Sequence, residues 1–254
     1  MQNTELEQSN HWRRWAIVVV FATTMGYLEA AVVLYLRTLG NRLDPYQPNP
    51  LPPAIDFGYA EVLREAATIV MLAMVGWLAG RSLRARFGYF LVAFGVWDIF
   101  YYVFLIPLTG WPRTLLDWDV LFLIPLPWWG PVIAPICIAA LMVIYGTLLS
   151  QCERAGEVPS PGWKAQLAGG AGIALALYVF MADAIRVAPE GKQALQDMLP
   201  ARFNWPLFVA ALLLMAAPIL STGREMLRRR RQAGSVQPDP DALHAAPDDS
   251  SVTQ

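Results

Sequence analysis

Six apolar stretches dominate this sequence, at about residues 13–36, 58–80, 87–108, 131–150, 165–187 and 204–222. Each is close to the ~20 residues that a helix needs to cross the hydrocarbon core of a bilayer. Backbone in hydrocarbon must satisfy its own hydrogen bonds, so blocks of this length fold as helices. They predict an all-α integral membrane protein with six transmembrane helices. The composition agrees, since 56% of the residues are hydrophobic, 10 are Trp and only 15% are charged, outside the usual soluble range. The first block opens HWRRWAIVVVF like a signal peptide, but it is long and lacks a small-residue cleavage site after a short apolar core. It reads as an uncleaved span.

Positive charge collects in cytoplasmic loops, and the placement of Lys and Arg orients the helices. Arg13, Arg14, Arg81, Arg84, Arg86, Arg154, Lys164, Arg224 and Arg228 to Arg231 fall on one side. Arg37, Arg42, Arg113, Arg186, Lys192 and Arg202 fall on the other, twelve against six, with Arg64 inside a span. Both termini are therefore expected in the cytoplasm, with the protein a multi-pass component of a cell membrane of the bacterial inner-membrane kind. The chain divides into an N-terminal tail at 1–12, a membrane domain at 13–222, and a basic then disordered tail at 223–254. QAGSVQPDPDALHAAPDDSSVTQ in that tail is polar, proline-containing and without helical period, a composition that cannot bury a core. The arginine run before it reads as a stop after the last span, with anionic lipid as an alternative partner.

Two connections stand out. RTLGNRLDPYQPNPLPPAIDFG is rich in proline and predicts an extended, semi-rigid excursion. Val120 to Leu149 is nearly continuously apolar, ~45 Å if it were all helix against a core of ~30 Å. It is too long for one span and is interrupted by Pro125, Pro127, Pro131 and Pro135. GWPRTLLDWDVLFLIPLPWWG accordingly reads as a re-entrant or interfacial segment before the fourth span, with Trp128 and Trp129 at headgroup level. Cys137 and Cys152 lie ~22 Å apart along one helix, too far for a disulfide.

The carboxylates are unevenly placed. Glu29 lies in the outer half of the first span, Glu61, Arg64 and Glu65 near the outer end of the second, and Asp98 in the middle of the third. Asp117 and Asp119 follow as DWD, and Asp183 and Arg186 close the fifth span. Helical spacing puts Gly95, Asp98 and Tyr102 on one face, and Glu61, Arg64, Glu65 and Thr68 on another. Small-residue stripes, Ala22–Gly26–Ala30 and Ala168–Gly172–Ala176, mark helix contacts. Seven carboxylates against Arg37, Arg64 and Arg186 leave an excess of four negative charges. Either some of these carboxyls hold protons or a cation or cationic ligand offsets them. Glu61 with Arg64, and Asp183 with Arg186, also have the spacing of simple ion pairs, and Asp117 that of a helix cap.

Intramembrane ionisable groups mark functional sites by default. Asp98, Glu65 and Glu29 are the candidate catalytic residues, and would be the ligands of any metal. Arg64, Glu61, Tyr102, Asp119, Asp183 and Arg186 are the candidate substrate-binding residues. The only histidines, His11 and His244, lie outside the spans. That excludes haem or metal ligated by histidine within the bundle, and any catalytic Ser-His-Asp or Cys-His arrangement there. Oxygen ligands would favour Mg, Ca or Mn. GGAG at 169–172 lies inside a span, where packing explains it better than phosphate binding, and no nucleic-acid partner is expected. Three functions fit: a membrane enzyme acting on a lipid-like substrate by acid/base or metal chemistry, with Arg64 holding an anionic group; a proton- or cation-coupled transporter; and an accessory subunit docking a membrane partner protein. Polar groups gathered on one side, with no visible inverted repeat, favour the enzyme.

Overall fold

The computed structural model describes residues 2–39, 58–152, 161–199 and 202–235. Of the described residues 82% are helical, and the elements run α1 (Gln2–Leu39), α2 (Gly58–Ala79), α3 (Leu83–Thr109), β1 (Trp118–Phe122), β2 (Trp128–Pro131), α4 (Ile133–Cys152), α5 (Trp163–Val187), a single 3₁₀ turn at Ala188–Glu190, α6 (Lys192–Asp197) and α7 (Trp205–Ser235). All of these except α6, the 3₁₀ turn and the strands are long and apolar enough to cross a membrane, and they match the six blocks of the sequence. Their outer faces carry large exposed apolar side chains, such as Val20, Leu63, Leu78, Ile144 and Leu213. A soluble fold would bury these; a bilayer solvates them. The expected tail at 1–12 is instead mostly an extension of α1. The expected disorder after Arg231 lies outside the described residues beyond Ser235, as does most of the proline-rich connection between α1 and α2.

The centre of the bundle is α3, which packs against α1, α2 and α4, while α4 meets α7 and α7 pairs with α5. Its ends are fixed locally. Ser82 accepts a hydrogen bond from the Ala85 amide at 3.2 Å, and Gly110 closes the other end with φ 72° and an amide bonded to the Ile106 carbonyl. These are an N-cap and a left-handed C-cap that a side chain would strain.

The helices approach so closely because small residues lie at the crossings. A Cβ added at Gly146 would lie 2.4 Å from the Gly88 carbonyl oxygen, and one added at Gly26 would lie 3.0 Å from the Trp97 carbonyl oxygen. Gly172 meets the Ala211 and Met215 backbone of α7, so both stripes expected to make contacts do so. One core, around Leu72, Tyr89, Val92 and Trp97, joins α1, α2 and α3. Another, around Ala176, Phe180 and Phe208, joins α4, α5 and α7.

The segment between α3 and α4 departs from expectation, because it is a β-hairpin and the fold is not purely helical. Trp118 pairs with Pro131, Asp119 with Gly130, Val120 with Trp129 and Phe122 with Trp128, with a break in register between Val120 and Phe122. Prolines 125 and 127 remove the amides a helix would need, and the β-branched and aromatic residues around them suit strands. The register break redirects the chain. Trp118 and Val120 pack with Trp129 and Met198, whereas Phe122 inserts beside Phe94 and Trp97 of α3. Gly130 lies flat against the Phe180 ring, where a Cβ would come within 2.8 Å. The hairpin thus plugs one end of the bundle between its two cores.

Overpacking the α3–α4 crossing should be costly. Gly146→Ala is expected to lower stability by about 1–3 kcal/mol, while Gly170→Ala, whose Cβ meets open space, should be neutral or slightly stabilising. Thermal unfolding of both variants in mild detergent checks the contrast.

Candidate functional site

The polar site forms where the hairpin meets α1, α2 and α3. The last turn of α1 brings Arg37 to β1, and its guanidinium bonds Asp119 Oδ1 at 3.3 Å. Tyr102 of α3 donates its hydroxyl to Asp119 Oδ2 at 3.1 Å, and the Val120 amide donates to Oδ1 at 3.0 Å. Asp119 is 2% exposed. Arg37 also stacks over Trp111, 4.3 Å from the ring centroid, which shields the guanidinium from above.

A second centre is built on α2. Arg64 pairs with Glu61 one turn away at 2.8 Å and reaches across to Glu29 of α1. Glu65, 8% exposed, takes the Leu123 amide on its two carboxylate oxygens at 3.0 and 3.2 Å. That amide follows the last residue of β1, so a carboxylate of α2 does the work of a missing strand partner. Asp117 plays a similar local part, accepting from the Arg113 and Thr114 amides and from the Thr114 hydroxyl. It is a turn former, not a helix cap.

Asp98 stands apart. It is partly buried on α3, in the field of Asp119 and of Tyr101 and Tyr102, and no described residue forms a hydrogen bond or ion pair with it. Asp183 and Arg186 pair with each other at 2.8 Å on α5, with Arg186 65% exposed.

The expected site residues are therefore divided. Tyr102 and Asp119 share one centre, with Asp98 beside it, while Glu29, Glu61, Arg64 and Glu65 form the other. Of the trio Asp98, Glu65 and Glu29, the last two fall in the centre around Arg64, and no group of three or more His, Cys, Asp or Glu suited to a metal occurs among the described residues. Arg64 is committed to two carboxylates, so it neutralises charge instead of presenting it to an anion. From the sequence Arg37 enters only as a counter-charge, and Trp111 does not enter. Arg37 follows Ala30 and Val33 at helical spacing, and both pack in the core around Tyr102, so its inward face was written in the pattern.

No protein-family profile, curated protein or solved structure matches the chain. The site has to be read from its own chemistry.

Two carboxyls, Asp117 and Asp119, lie between the third and fourth spans. Burial pushes Asp119 up from 3.8 to about 6, against the opposing pull of Arg37, the Tyr102 hydroxyl and the Val120 amide. For Asp117 burial is the largest single effect and raises it, but the Thr114 and Arg113 hydrogen bonds and the Arg113 charge together outweigh it and hold the carboxyl below the usual carboxylate range. A raised carboxyl favours the fold when protonated, so the Asp119 contribution is fully present below about pH 4 and is lost as pH rises through about 6. On lowering pH from 7.5 to 5, wild type should gain about 1 kcal/mol of stability relative to Asp119→Asn. Unfolding curves of the two proteins at both pH values check this; a constant difference would refute it. Separately, Glu65→Leu should leave the Leu123 amide without an acceptor and cost about 1–3 kcal/mol, with Glu65→Gln milder because its amide oxygen still accepts. Amide exchange at Leu123 should be faster in the Leu variant than in the Gln variant.

Proposed function

We propose that this protein is a membrane enzyme acting on a lipid-like substrate at an outward-facing site, with Asp98 as the group that accepts and returns a proton. The observation that carries this reading is the state of Asp98: the other carboxylates of the hairpin end are engaged by arginine, tyrosine or backbone amides, and Asp98 is not. An unengaged carboxylate in mid-span costs roughly 2.5–3.5 kcal/mol on insertion scales. Packing gives no reason to retain it, because Asn would fill the same volume.

In this reading both termini are cytoplasmic, following the excess of twelve basic residues against six, and the membrane is of the bacterial inner-membrane kind. The hairpin then lies toward the outer leaflet. Tyr101 lies one turn after Asp98 on α3 and would order a substrate hydroxyl or carbonyl beside it. Asp119 and Arg37 form a neutralised pair that fixes Tyr102. Glu29, Glu61, Arg64 and Glu65 hold α1, α2 and the hairpin in register, and Asp183 with Arg186 lies at the rim.

The test is conversion of lipid by the purified protein in liposomes made from a total bacterial lipid extract, read by mass spectrometry, for wild type beside Asp98→Asn and Asp183→Asn. A lipid species consumed by wild type and by Asp183→Asn, with the rate at least a hundredfold lower in Asp98→Asn, is the expected result. Proton or cation flux lost in Asp98→Asn without any conversion would replace this reading with a coupled transporter. If conversion and flux are both absent, the accessory-subunit reading takes its place.

A further inference from the structure

The opposite end of the bundle holds a second polar feature, independent of the Asp98 site. α5 and α7 touch at Gly172, where a Cβ would lie 2.7 Å from the Ala211 carbonyl oxygen, and at Gly169, against the Pro218 ring. Past Gly169 the two helices face each other through Ala165 and Gly162 on one side and Ser221 on the other, and a groove of about 690 Å³ opens between them. Arg224, Arg228 and Arg229 line it, with Glu225 as the single acidic group. Glu225 is taken by Arg229 at 3.0 Å. Arg224 and Arg228, one helical turn apart on the same face, form no ion pair among the described residues. The start of α5 adds to the positive field, because its N-cap is Gly162 and no side chain caps its first turn.

The groove also continues into the lipid-facing surface. Leu220 forms part of its wall and is 56% exposed. Trp163, exposed at the start of α5 with the Lys164 ammonium over its ring, is the side-chain pair expected where hydrocarbon gives way to headgroups. We propose that this groove binds the phosphate of an anionic lipid, held by Arg224, Arg228 and the Ser221 hydroxyl, with an acyl chain along Leu220. The apolar wall selects a lipid over a soluble phosphate, and the unpaired arginines select a net anionic headgroup over a zwitterionic one.

Native mass spectrometry of the detergent-purified full chain, with phosphatidylglycerol, with phosphatidylcholine of the same acyl chains, or with inorganic phosphate, tests the proposal. The expected result is one phosphatidylglycerol retained per chain and at least tenfold weaker retention of phosphatidylcholine. Arg224→Gln/Arg228→Gln should lose phosphatidylglycerol at least tenfold, and Ser221→Asp, which puts a carboxylate in the groove, should do the same. Arg13→Gln/Arg14→Gln removes equal charge from the same end outside the groove and should bind within twofold of wild type. Equal loss in that control would show diffuse surface attraction and overturn the site. So would equal retention of the two lipids, or none. Displacement of the lipid by millimolar inorganic phosphate would assign the groove to a soluble phosphate compound and overturn the lipid reading.

Discussion

The architecture of the hairpin end depends on one buried ion pair, Arg37 with Asp119. It joins the last turn of α1 to β1, and through the Tyr102 hydroxyl it also joins β1 to α3. Both side chains are nearly sealed from solvent, at 11% and 4% exposed, so neither charge can be rescued by water if the other is removed. Breaking a buried pair by deleting one partner costs about 3–5 kcal/mol. The pair is therefore less a source of stability than a condition on the fold: α1, α3 and the hairpin can seat only together. Once they are seated, Phe122 is positioned between the aromatic rings of α3 and Trp128, which faces Phe180 on the far side. That is how one polar contact aligns two apolar cores.

The charge excess visible in the sequence is thereby divided among small, separately satisfied groups. Arg37 answers Asp119, Arg64 answers Glu29 and Glu61, and Arg186 answers Asp183. Glu65 and Asp117 are answered by backbone amides, which stabilise a carboxylate through charge-assisted hydrogen bonds. The remainder is Asp98, and the functional reading rests there for that reason. Its position on α3, the helix that contacts α1, α2 and α4, also means that any movement of the hairpin or of those helices changes its surroundings.

The six spans were legible because hydrophobic length is a strong signal that tertiary context seldom overrides. Gly26 and Gly172 were legible as contact residues for a related reason, since small-residue spacing at a helix crossing has one dominant physical use. The hairpin was not. Prolines 125 and 127 signalled that Val120 onward could not be one helix, but strand pairing across a turn depends on partners the pattern does not name. Nor was the division of the carboxylates legible. Helical spacing placed Glu65 and Asp98 correctly on inward faces, yet the partner of Glu65 is the amide of Leu123, and backbone amides leave no mark in a sequence.

That last point explains why acidic residues collect at the hairpin end. A two-stranded hairpin has two open edges, and unsatisfied amides are least tolerable near hydrocarbon. Here the carboxylates supply acceptors: Glu65 for Leu123, Asp119 for Val120, and Asp117 for Arg113 and Thr114. On the α4 side the need is met by backbone, with the Val132 and Ile133 amides bonded to the Asp117 and Leu115 carbonyls. An irregular segment at the end of the bundle therefore requires acids, the buried acids require arginines, and the arginines require the ends of α1 and α2 to converge on the hairpin. Asp98 lies outside that chain of requirements. The carboxylates that accept the hairpin's amides follow from the need to fold a proline-broken segment, and Asp98, which accepts none of them, is the residue on which the proposed function rests.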